Sequence, residues 1–122
     1  MTWVLVAAGG ALGSMGRHGV NLLMHRWVGT PVPWATAAVN ILGCATIGLL
    51  AGLVSAGTLR WGAGTRVFVF VGILGGFTTF SSFGLDTLTL VRDGSIALAL
   101  RNVAAQVVLG LGAVFAGYWI AR

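Results

Sequence analysis

The 122-residue sequence has no lysine and no glutamate, and only two acidic side chains, Asp86 and Asp93. Both lie at or beyond the end of one apolar run, so no carboxylate is placed to titrate inside a membrane. Charged residues make up 7% of the chain, whereas a soluble domain carries about 25%. That shortage excludes an ordinary water-soluble globule. One cysteine, Cys44, excludes an intrachain disulfide and reads as a small packing residue. The two histidines, His18 and His25, have no cysteine, glutamate or further histidine at ligand spacing, which argues against a side-chain metal site. The seven basic residues are all arginine, scattered rather than clustered, so no nucleic-acid surface is expected. No nucleophile–base pair or cofactor motif suggests an enzyme.

What remains is apolar. The sequence is 57% hydrophobic, and four stretches are long enough for a bilayer crossing of about 20 residues. They run roughly over 2–24, 34–53, 67–91 and 95–121. The expectation is an all-α membrane protein, residues 1–122 forming a single four-span domain with no soluble part. No cleavable signal peptide is expected, because Met1–Trp3 offers no basic start and the first run continues past Ala11. Pro31 and Pro33 punctuate the first connection, with Trp34 at an interfacial position. Asp93-Gly94-Ser95 makes the third connection a tight turn, with Ser95 as a suitable N-cap.

Four spans put Arg60, Arg66 and Arg122 on one side. Arg26 and Arg92 fall on the other, joined by Arg101 if it reaches its own interface. The positive-inside rule then has almost nothing to act on. Such a chain can insert in both orientations, and oppositely inserted copies can pair; a single topology set by a small bias is the alternative. Glycines recur at helical spacing (Gly9/Gly13, Gly48/Gly52, Gly72/Gly76) and predict close backbone approach, within or between subunits.

Polar groups inside hydrocarbon need partners or water. Arg17 lies about 21 Å along its helix from Trp3, in a core about 30 Å thick; it either snorkels or lines a vestibule. Asn40 lies in the second span and either bonds to another helix or lines a wet passage. Asn102 and Gln106, one turn apart, share a face. The stretch "GGFTTFSSF" (Gly75 to Phe83) sits inside an uncharged apolar run, yet holds two glycines, four hydroxyls and three phenylalanines. Gly75-Gly76 invites unwinding, and Thr78, Thr79, Ser81 and Ser82 can cap a fresh helix start. The third span is therefore expected to be broken, exposing carbonyls that suit a hard cation and helix N–H groups that suit an anion. Phe77, Phe80 and Phe83 are expected as neighbours on the restarted helix. Their positive ring edges suit a small anion, though a core aromatic stripe is the plainer reading.

Three motifs in order, "GGALGSMGR", "VNILGCATIG" and "GGFTTFSSFGLD", make the chain resemble the Fluc/CrcB family of fluoride channels over essentially its whole length. It departs from the family pattern at His18, Ser82, Gly84 and Asp86. The resemblance implies an antiparallel, dual-topology homodimer in the inner membrane of a prokaryote, exporting fluoride passively. It implies an ion pathway at Asn40, Phe80, Phe83, Ser81 and Gln106, with Arg17 at a vestibule. It also implies a structural sodium ion on the dimer axis, held by the backbone carbonyls of Gly75 and Thr78. The rival architecture with four spans, a small proton-coupled multidrug exporter, needs a membrane carboxylate that this sequence lacks.

Overall fold

A computed structural model describes residues 1–29 and 33–122; the turn expected at Pro31 lies outside them. All regular structure among the described residues is helical. Helix α1 (Thr2–Val28) ends where Gly29 adopts φ 81° and returns its N–H to the His25 carbonyl at 3.0 Å. His25 and Arg26 in its last turn complement the helix dipole. Helix α2 (Trp34–Ser55) starts directly after Pro33, whose carbonyl takes the Ala37 N–H at 3.0 Å.

The third segment is composite. A short α3 (Ala63–Arg66) runs into a π-helical stretch (Val67–Leu74), then one turn, α4 (Gly75–Phe77). Thr78 and Thr79 are extended, at φ −82°, ψ 158° and φ −155°, ψ 121°, and the chain restarts as α5 (Phe80–Arg92). Gly94 (φ 80°) turns it into α6 (Ile96–Ala121). Ser95 precedes α6 as expected, but its side chain makes no capping bond; its N–H instead closes the turn on the Leu90 carbonyl at 2.8 Å.

Among the described residues, three segments are long and apolar enough to cross a membrane: Trp34–Ser55, Ala63–Arg92 and Ile96–Ala121. Helix α1 matches them in length but not in apolarity, because Arg17, His18, Asn21, His25 and Arg26 crowd its second half. Few apolar side chains are buried inside the chain, Val39 and Leu74 among them. Most leucines and valines face outward, as in a protein whose solvent is lipid.

With little hydrophobic drive between helices in lipid, close packing must hold them together. The glycines make that possible. A methyl on Gly9 would lie 2.6 Å from the Phe68 carbonyl oxygen, and one on Gly76 would lie 2.6 Å from that of Gly10. These positions weld α1 to the π-helical stretch and α4. On the other side Gly48 presses on Val114, and a methyl on Gly52 would come 2.5 Å from the Tyr118 carbonyl oxygen, joining α2 to α6. Ser55 and Tyr118 hydroxyls meet at 3.0 Å at the same end. The glycine pairs thus pack within one chain.

Candidate functional site

The break follows from which groups take the backbone donors. In an unbroken helix the Thr79 N–H would bond to the Gly75 carbonyl and the Ser82 N–H to that of Thr78. Here Asn40 Oδ1 accepts from the Thr79 N–H at 2.8 Å, and Thr79 Oγ1 accepts from the Ser82 N–H at 3.1 Å. Thr79 is thereby the N-cap of α5. The Thr78 hydroxyl donates back to the Leu74 carbonyl at 2.9 Å, and its methyl fills the space left by Gly43. The sequence expectation put the unwinding at Gly75-Gly76. Those residues are helical, and the extended pair lies three residues further on. The glycines serve close approach instead, and the side chains of Asn40 and Thr79 make the break.

Asn40 does more than accept one bond. Its Nδ2 donates to the Thr79 carbonyl at 2.9 Å and to Gln106 Oε1 at 2.7 Å. The amide therefore grips one residue of the break from both sides and ties it to α6. From Gln106 the bonds continue. Its Nε2 donates to Asn102 Oδ1 at 2.8 Å, Asn102 Nδ2 to Thr87 Oγ1 at 3.1 Å, and the Thr87 hydroxyl to the Phe83 carbonyl at 2.8 Å. Among the described residues, no buried side-chain nitrogen or oxygen lacks a partner, as low-dielectric surroundings require.

Beside this ladder lies a groove of about 550 Å³. Asn40, Gly75, Thr78, Phe80, Phe83 and Gln106, six of the residues expected at the site, line it. Cys44, Leu74, Thr79 and Val107 contribute to the walls, and no charged side chain does. Phe80 is 83% exposed and Phe83 is half-buried, with ring centroids 5.5 Å apart and planes tilted by 48°.

Three expected residues lie elsewhere. Phe77 does not share the restarted helix: it precedes the break, and its ring lies between Gly16 of α1 and Gly43 of α2. Ser81 is exposed and outside the groove, its hydroxyl 3.3 Å from that of Thr79. Arg17 is half-buried on α1 and lines neither the groove nor the smaller cavity of about 280 Å³ between Asn21, His25, Thr36, Ser82 and Asp86. Sequence reasoning missed Thr79 as a groove residue and Thr87 altogether. A threonine in a helix carries no signal of its own, and only the Asn102–Gln106 pairing hinted at a polar track.

Residues 4–118 match the family model described as CrcB-like protein, Camphor Resistance (CrcB). The chain belongs to the CrcB family. Among its relatives, the fluoride-specific ion channel FluC of Paracoccus denitrificans is 51% identical over 99% of this chain and 94% of its own. That of Nitrobacter winogradskyi is 44% identical over 99% and 96%, and that of Rhodospirillum centenum 46% over 96% and 92%. CrcB membership covers all three motifs, and the relatives' names identify ion channels. The proton-coupled exporter weighed from the four-span pattern has no support among them.

The carbonyls of Gly75 and Thr78, implied as sodium ligands, are the two whose helical donors have gone to Asn40 and to Thr79. Both residues line the groove wall. Carbonyl oxygens released in this way are hard donors suited to an alkali or alkaline-earth cation rather than a transition metal, so the residues fit the implied ion.

Proposed function

We propose that this chain is a fluoride-selective channel that lets fluoride leave the cytoplasm passively and so lowers its toxicity. The observation that carries the reading is the uncharged groove beside the broken helix, in a member of a family whose relatives are named fluoride-specific channels. A small anion entering such a groove exchanges water for fixed partners. The first N–H groups of α5 have no intrahelical acceptors, the helix dipole favours negative charge there, and aromatic edges are positive. None of these carries a full charge, so none traps the ion. Fluoride that enters a cell as the neutral acid ionises inside and leaves along this route.

The working unit in this reading is an antiparallel homodimer of oppositely inserted copies in the inner membrane, with α1 as a fourth span. Two features support a second copy. Irregular backbone at membrane depth needs cover from protein or water, and Phe80, Ser81 and Gly75 are exposed on the isolated chain beside that backbone. A sodium ion on the dimer axis would take the Gly75 and Thr78 carbonyls of both copies and supply fixed positive charge there. Arg17 remains the vestibule residue of this scheme and Ser81 a hydroxyl presented to the partner.

Efflux from liposomes tests the function. Vesicles loaded with potassium fluoride should release it rapidly once valinomycin shunts the charge, while chloride-loaded vesicles stay full. Equal release of both anions, or of neither, removes the reading. Efflux that needs a proton gradient replaces it with a coupled exporter.

A further inference from the structure

The ladder from Thr79 to Phe83 is anchored at both ends by backbone groups that admit one polarity each. The Thr79 N–H can only donate, so Asn40 must turn its oxygen toward it. Asn40 then presents its amide nitrogen to Gln106, which must answer with Oε1. Gln106 Nε2 consequently faces Asn102 Oδ1, and Asn102 Nδ2 faces Thr87 Oγ1. At the far end the Phe83 carbonyl can only accept, which fixes the Thr87 proton. Every amide in the ladder therefore has its orientation set, with no freedom to flip.

The orientation decides the sign of the groove. Both Asn40 Nδ2–H bonds are spent, on Thr79 and on Gln106. Gln106 Oε1 is held by the Asn40 donor, while Nε2 has two protons and gives one of them to Asn102. Gln106 lines the groove at 9% exposure, and in this orientation its second Nε2–H is left to donate to an occupant of the groove. A flipped Gln106 would offer an acceptor instead and repel an anion.

We infer that Asn102 and Thr87, neither of which lines the groove, are positioning residues that hold Gln106 with its N–H available to the anion. Asn102 is 3% exposed, and its side chain bonds to both Gln106 and Thr87. Thr87 supplies both the acceptor for Asn102 and the anchor on Phe83. Neither touches the ion; each acts through Gln106. The inference rests on the channel reading for its functional consequence, but the amide orientation can be read without transport.

Two measurements separate the possibilities. Thr87→Val keeps shape and removes both bonds, whereas Thr87→Ser keeps the hydroxyl. Fluoride flux per assembled dimer should fall at least about tenfold in Thr87→Val and stay within about twofold of the parent in Thr87→Ser. The second readout is the Gln106 side-chain amide resonance in detergent-solubilised protein labelled with 15N-glutamine. It should shift on adding sodium fluoride in the parent and in Thr87→Ser, and should not in Thr87→Val. A merely structural Thr87 would leave that response intact. Parent-like flux and parent-like shifts in Thr87→Val overturn the inference. If Thr87→Val fails to assemble, Asn102→Ser, too short to reach Gln106, decides on the same two readouts. Should the parent carry no fluoride, the channel reading falls, and Gln106 amide shifts that are equal in parent and Thr87→Val would dispose of the orientation lock as well.

Discussion

Asn40 holds Thr79 by both its N–H and its carbonyl, at 2.8 and 2.9 Å, across 39 residues of sequence. One side chain on α2 thus replaces the acceptor that the third helix gives up and adds a donor to the carbonyl that opens α5. Asn40→Ala leaves the Thr79 N–H unmet, at a cost of about 1–3 kcal/mol when buried, and takes the donor away from Gln106 Oε1. The expected outcome is a lower melting temperature together with near-complete loss of fluoride efflux. Asn40→Asp still accepts the Thr79 N–H but turns a carboxylate oxygen toward the Thr79 carbonyl and Gln106 Oε1. It should abolish anion flux even where dimers survive, as size-exclusion and efflux measured on the same preparation will show.

The phenylalanine pair calls for a different outcome. Phe80→Ile and Phe83→Ile retain bulk and lose the positive ring edge. An added barrier of about 3 kcal/mol slows passage roughly a hundredfold. Flux per dimer should drop by that order in either variant, with unchanged dimer yield, since Phe80 is largely exposed within its own chain and Ile fills similar space. Normal conduction by intact dimers of both variants would assign the rings to packing.

Adjacent glycines should separate two kinds of damage. A methyl at Gly76 meets the Gly10 carbonyl oxygen at 2.6 Å, while one at Gly75 meets nothing closer than the Phe70 carbonyl oxygen at 3.7 Å. Gly76→Ala should lower the thermal stability of the protein by about 1–3 kcal/mol, the usual penalty of overpacking. Gly75→Ala should leave each subunit's fold alone. Gly75→Val should weaken dimerisation by crowding the carbonyl proposed for sodium, with dissociation on dilution as the measurement. Equal melting temperatures for the two alanine variants would contradict the packing described.

Dual insertion is tested in a Cys44→Ser background with single cysteines at Arg60 or Arg26. Each site should react with a membrane-impermeant maleimide from both sides of the membrane. One-sided labelling at both positions removes the antiparallel dimer. Three lysines added to the loop after α2 should force one orientation and reduce efflux.

Much of the fold was legible because its signals are local. Pro33-Trp34 marks the start of α2, Asp93-Gly94 the turn before α6, and long uncharged runs mark the crossings. The break was legible as chemistry but misplaced by three residues, since glycine signals both flexibility and close approach, and here the second use prevailed. Phe77 shares the periodic spacing of Phe80 and Phe83, yet the extended Thr78-Thr79 pair resets the helical phase between them. The π-helical stretch over Val67–Leu74 has no sequence signature distinct from an α-helix of the same residues. The partners of Asn40 lie 39 and 66 residues away, and a single sequence carries no record of which distant polar groups meet.

The glycine seams divide the chain mechanically. Helix α1 is fused to the π-helical stretch and α4 by backbone lying on backbone, and α2 is joined to α6 in the same way, with α5 resting on α6. Contacts without side chains have no rotamers through which to yield, so each group behaves as a stiff body. The covalent link from one body to the other within the third segment is the two-residue strap Thr78-Thr79, and the groove lies along it. Any relative displacement of the bodies is therefore felt first as a change in the width of that groove.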